Sequence, residues 1–102
     1  MESQPPIRHT VVFRLRHAAG SAEESDFIRT ASVVLPGIPG VQEFAVSRQV
    51  SPKSTAAFQF AMTFASQADY DAYNAHPDHR QFVATRWDYE VDSFQEYDFV
   101  GY

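Results

Sequence analysis

Two of the chain's four histidines fall in one short run, YNAHPDHRQF, at positions 73–82. Imidazole is the side chain whose ordinary pKa lets it take or give a proton near neutral pH. His79 is therefore a candidate general base, able to accept a proton from an activated carbon or hydroxyl. Tyr73 stands six residues before it, and its phenol could orient a carbonyl or receive an oxyanion's charge. The competing reading is structural. His79 would hydrogen-bond free backbone groups at a helix start, and Tyr73 would pack on a sheet with its hydroxyl at the rim. His76 and His79, three apart, could instead share a metal. Pro77 between them spoils a helical presentation of the pair, and a third ligand would have to come from His9, His17 or a carboxylate. The expectation is no metal and no cofactor, with His76 capping one helix and setting the turn. The absence of cysteine removes thiolate nucleophiles and Cys-based zinc sites from consideration.

His9 lies on the apolar face of IRHTVVFRLR, at 7–16, beside Val11 and Phe13. A lone histidine there is either a hydrogen-bonded core residue or the second polar group of a pocket. Aromatic residues make up 15% of the chain, with nine Phe and five Tyr, which is more flat surface than one small core needs. Some of it should line a pocket or an interface. Core burial alone, about 1.5 to 3 kcal/mol for each ring, accounts for Phe13, Phe27, Phe58, Phe60, Phe64 and Phe82. The candidate ligand contacts are Val11, Phe13, Phe27, Phe58, Phe60 and Phe82. Trp87 and Tyr89 join them, because each carries a polar handle on an apolar body.

A formal net charge of −5 argues against a nucleic-acid partner, which calls for a basic face, and against an anionic membrane. No apolar run approaches the roughly 18 residues of a membrane span, and MESQPPIRH carries no apolar signal region. The expected location is the cytoplasm.

The elements that would hold these residues are legible as periodicity. Residues 7–16 alternate at period two, with Ile7, His9, Val11, Phe13 and Leu15 on one face. Residues 21–35 read as a helix: Ser21 and Glu24 form a capping box, and Phe27, Ala31, Val34 and Leu35 recur at helical spacing. PGIPG, at 36–40, ends it. Strands over 41–50 and 56–64 make a hairpin about SPKST, with Phe58, Phe60, Met62 and Phe64 on one face. Ser66 and Asp69 open a short helix over 67–75, and Pro77 separates it from a second over 78–87. In the tail, odd positions hold Trp87, Tyr89, Val91, Tyr97 and Phe99, and even positions hold Asp88, Glu90, Asp92, Glu96 and Asp98. This predicts a loop and then a strand around 94–100, apolar side toward a core or partner and acids toward water. The order β-α-β-β-α-β is the ferredoxin-like α+β arrangement, an antiparallel sheet with its helices on one face. It predicts a single domain over 1–102 with an ordered core of about 7–100. The bare sheet face, expected to carry Phe, Val and Tyr, is most simply covered by a second copy, giving a homodimer.

Taken together, IRHTVVFRLR, MTFASQADYDAYNAHPDH and EYDFV resemble the stress-responsive A/B barrel (Dabb) family of dimeric α+β barrel proteins. The resemblance spans nearly the whole chain and implies a homodimer whose sheets face each other. The family includes a plant polyketide cyclase that closes a linear polyketide without metal or cofactor. By that resemblance His79 matches its general base, Tyr73 the tyrosine that works with it, and His9 a further pocket histidine. Phe58 stands where the cyclase has a histidine. Three readings follow: a binding domain for an apolar, aromatic or polyketide-like ligand; a cofactor-independent cyclase or lyase; and a cofactor-free monooxygenase or isomerase.

Overall fold

The computed structural model describes residues 4–102. β-branched and aromatic residues at period two make β1, Ile7–Leu15, and its alternate residues are buried. α1, Ala22–Val34, starts where Ser21 accepts from the backbone N–H of Glu24 at 3.2 Å. The Glu24 carboxylate reaches back to the N–H of Gly20 at 2.7 Å. After the helix the chain turns through Gly40, at φ 91°, a conformation that costs a side chain energy and glycine little. β2, Gln42–Arg48, and β3, Phe58–Phe64, form the hairpin.

α2, Gln67–Ala75, is capped by Ser66, which accepts from the Asp69 N–H at 3.2 Å. His76 closes α2 with extended backbone and opens α3, Pro77–Phe82, where its Nδ1 accepts from the Asp78 N–H at 3.1 Å. Pro77 occupies the first turn of α3, where its missing N–H costs nothing. The single second helix expected over 78–87 is in fact three segments. α3 runs into a π-helical turn, Val83–Trp87, and then α4, Asp88–Glu90. In a π turn the hydrogen bonds run i→i+5, which brings residues five apart onto one side. Phe82 and Trp87 are five apart, and both pack on Phe27, at 5.6 and 6.2 Å between ring centroids.

β4, Val91–Phe99, follows directly, with no intervening loop and a start earlier than the sequence suggested. The strands lie in the order β2-β3-β1-β4, every neighbouring pair antiparallel, which is the ferredoxin-like sheet. Residues directly opposite in such a ladder share a face. The helix-covered face therefore carries the rows Met62–His9–Asp98, Phe60–Val11–Glu96 and Phe58–Phe13–Phe94. The helices close over it through Phe27, Tyr70, Tyr73 and Phe82.

The tail departs from its expected polarity. A register shift between Arg14 and Leu15 changes the parity of β4 after Val91. Val91 is buried opposite Leu15, but beyond the bulge it is Phe94, Glu96 and Asp98 that face the helices. Tyr97 and Phe99 turn to the open face. That face is of mixed polarity: Gln59 donates to Thr10 Oγ1 at 2.7 Å, and Arg8 donates to Thr63 Oγ1 at 2.9 Å.

Candidate functional site

A cavity of about 250 Å³ opens between the helix-covered face and the helices. Its floor is the middle of the sheet: His9 and Val11 from β1, Phe60 and Met62 from β3, Phe94 and Glu96 from β4. Its roof is Tyr73 from α2, His79 and Phe82 from α3, Val83 and Trp87 from the π turn, and Asp88 and Leu35 at the sides.

His79 is half-buried and packs against Tyr73 with 4.4 Å between ring centroids. Its Nδ1 is shut away from solvent with no hydrogen-bond partner among the described residues. Burial of the ring disfavours its charged form. Accordingly burial lowers the His79 pKa below the ordinary 6.5; nearby His9 adds to the effect and the Asn74 backbone pulls the other way. With Nδ1 enclosed, Nε2 is the nitrogen the ring offers to the cavity. Burial, together with Tyr70 and Glu96, raises the Tyr73 pKa well above the usual phenol range, so the phenol stays protonated.

Behind His9 stands a polar group that the sequence reading did not contain. His9 Nδ1 lies 2.6 Å from Asp98 Oδ1 and 3.0 Å from the Tyr70 hydroxyl, which donates to Asp98 Oδ2 at 3.1 Å. A carboxylate only accepts, so Nδ1 carries the proton between them, and in the neutral ring Nε2 is then the acceptor. Burial, then the Asp98 charge, pushes the Tyr70 phenol far up, which keeps it a donor. The register that sets Asp98 opposite His9 was invisible in the sequence. Tyr70 was findable, because it lies three residues before Tyr73 on the same helix and shares its face.

His9, Tyr73 and His79 thus meet at one cavity, with Val11, Phe60, Phe82 and Trp87 in its walls. Four other expected contacts lie elsewhere. Phe13 and Phe27 are fully buried, packed edge to face at 6.0 Å, and reach no cavity surface. Phe58 borders a separate surface groove, under the Arg48 guanidinium at 5.4 Å from its ring centroid. Tyr89 is 73% exposed, turned outward by the short α4. Leu35, Met62, Val83, Asp88, Phe94 and Glu96 line the cavity without having been singled out. Among the described residues no group of three or more His, Asp or Glu is placed to hold a metal ion. Among the same residues no helix is long and apolar enough to cross a membrane.

This sheet, these helices and the cavity between them define a ferredoxin-like α+β protein. The sequence profile of the stress responsive A/B barrel domain (Dabb) matches residues 7–100, and the chain belongs to that family. A Dabb family protein with a ferredoxin-like fold from Mesorhizobium loti is 50% identical, with TM-score 0.96 over 97% of this chain and 99% of its own. A dimeric ferredoxin-like protein of unknown function from Thermobifida fusca is 20% identical, with TM-score 0.78 over 96% and 92%. A hydroxynitrile lyase from Passiflora edulis is 14% identical, with TM-score 0.82 over 96% and 94%. At such identities the last two likenesses concern the fold alone. No curated protein matches the chain.

Proposed function

We propose that this protein binds a small, mainly apolar ligand, aromatic or polyketide-like, in the cavity beneath His79. One observation carries the reading: a half-buried imidazole, packed on a tyrosine, faces a cavity whose remaining walls are largely apolar. Binding sites for small molecules have this composition, apolar walls with a few convergent polar groups. An apolar cavity of about 150 Å³ holds benzene, so 250 Å³ suits one ring with a short functional tail. We propose further that the protein works as a homodimer, covering the open sheet face, as the dimeric Thermobifida fusca relative supports.

A second reading, cofactor-independent lyase or cyclase chemistry, is favoured by the arrangement of proton acceptors. His79 Nε2 takes a proton from a carbon next to a carbonyl. The Tyr73 hydroxyl donates to the carbonyl oxygen as enolate charge develops there. His9, held in one tautomer by Asp98, orients a second oxygen. A lyase among the fold neighbours agrees with this reading. Isomerase or cofactor-free oxygenase chemistry would begin with the same proton removal.

The test needs no knowledge of the natural substrate. Phenylacetone in D₂O, followed by NMR, should exchange its benzylic protons faster with the wild-type protein than with His79→Gln. Trp87 is the only tryptophan and lines the cavity, so quenching of its fluorescence reports occupancy in both proteins. Quenching without exchange would support binding and dismiss catalysis. Neither effect in the folded wild-type protein would dismiss both.

A further inference from the structure

The cavity holds a one-sided set of charges. Asp88 and Glu96, both solvent-exposed, stand where it opens to water. The other titratable groups in its wall are His9, Tyr73 and His79. None of the eight Lys and Arg residues lines it. The nearest candidates are committed or turned away. Arg86, next to Trp87 in the chain, donates to Glu90 Oε2 at 2.5 Å and to Asp26 Oδ2 at 2.9 Å, on the outer side of the helices. Arg80, next to His79, is exposed on α3 and does not reach the cavity. Arg8 and Arg14 belong to the opposite face of the sheet. A carboxylate or phosphate entering this space would meet the carboxylates of Asp88 and Glu96 and no lysine or arginine. Polar groups that bind such anions elsewhere are guanidinium forks, ammonium groups or helix N-termini, and the cavity wall contains no guanidinium or ammonium group.

We infer that the cavity discriminates by charge: its ligand is a neutral or cationic compound, and Glu96, with Asp88, excludes organic acids, phosphates and thioesters bearing phosphate groups. This rests on the binding reading above and narrows it. Glu96 has the larger part, because it lies in the same row as Val11 and Phe60, across the floor of the cavity. Its charge also bears on the phenols of both Tyr70 and Tyr73, which places it within electrostatic reach of the roof. A hydroxyl or ammonium group on the ligand would find an acceptor in the same carboxylate. Of the polyketide-like compounds, those with free acid groups are therefore excluded.

The experiment uses three probes of nearly one shape: benzyl alcohol, benzylamine and benzoate, each titrated against Trp87 fluorescence. Benzoate should bind at least about tenfold more weakly than benzyl alcohol, and benzylamine at least as tightly. Glu96→Gln, and Glu96→Gln with Asp88→Asn, should narrow the benzoate deficit by about threefold or more. Raising NaCl to about 0.5 M should narrow it in the wild-type protein, since the charges at the opening are exposed to screening. A steric cause would not respond to salt. Benzoate binding as tightly as the alcohol, or a deficit unchanged in the variants, would overturn the inference while leaving the binding site in place. Quenching by none of the probes would remove the site and the inference together.

Discussion

Two histidine–carboxylate pairs tie the β1 region to the C-terminal part of the chain, one at each end of the strand. His9 meets Asp98 at 2.6 Å, and His17 meets Glu90 at 2.7 Å. The chemistry of the two contacts is nearly the same, but their surroundings are not. Glu90 is also held by Arg86, which reaches on to Asp26 and Thr30, so that the second pair is one link in a brace across α1, the π turn and α4. Burial pushes the Glu90 carboxyl up, and Arg86 and His17 more than offset it, holding it below its usual range. His17 itself borders a surface hollow lined by Ala22, Glu23, Asp26 and Glu90, without a large apolar wall. His9 has its second nitrogen free toward a cavity that also contains His79 and Tyr73. A histidine–carboxylate pair becomes a candidate site when the ring keeps an unused nitrogen beside an apolar space. When its carboxylate is saturated by arginine, the pair serves as a brace.

The comparison breaks most visibly if the wrong end proves reactive. His79→Gln should lower phenylacetone exchange by about a hundredfold or more, the range of a general base, with a melting temperature close to wild type. His17→Gln should leave exchange unchanged and lower the melting temperature instead. Next in size is the brace. Arg86→Ala removes the partner of both Asp26 and Glu90, and urea unfolding should show a loss of about 1 to 2 kcal/mol, with Trp87 quenching by benzyl alcohol retained. Asp98→Asn sharpens the cavity side. An amide can accept or donate, so His9 is no longer fixed in one tautomer, and exchange should fall about tenfold, the worth of one charge-assisted hydrogen bond. Stability should barely move, because the Asp98 side chain is 43% exposed.

The smallest effect is on pH dependence. The pKa of His79 is lower in the folded chain than the ordinary 6.5 it would have unfolded. Below about 6.5 the unfolded state therefore binds more protons at this position, and the native state loses stability as the pH falls. Above it His79 contributes no slope. Denaturation curves of wild type and His79→Gln, close together at about pH 7.5, should separate toward about pH 5, the wild type losing the more stability. Curves that stay parallel would place the His79 pKa at its ordinary value.

The fold was legible because each element states its period. Alternation in IRHTVVFRLR, the Ser21 and Ser66 caps, and Pro77 at a helix start are local facts, and local chemistry decided them. The histidines and Tyr73 could be named for the same reason: their residue types carry chemistry wherever they fall. Register and helix form were not local. The bulge at Arg14 and Leu15 inverts the tail, so Glu96 and Asp98, read as a solvated stripe, sit on the helix side. The π turn inserts one extra residue per turn, and this brings Phe82 and Trp87, five apart, to the cavity together. Phenylalanines do not announce whether they fill a core or line a space, which is why Phe13 and Phe27 were read as ligand contacts and Phe94 was not.

The most direct test follows the four imidazoles themselves. In ¹⁵N-labelled protein, long-range ¹H–¹⁵N spectra resolve each ring, and a pH series with and without saturating benzyl alcohol reads charge and contact together. His79 should titrate below 6.5, and the alcohol should shift the resonances of His79 and His9 while those of His17 and His76 stay in place. If His79 titrates at or above 6.5, or if the alcohol moves His17 as far as His79, the cavity is not the site.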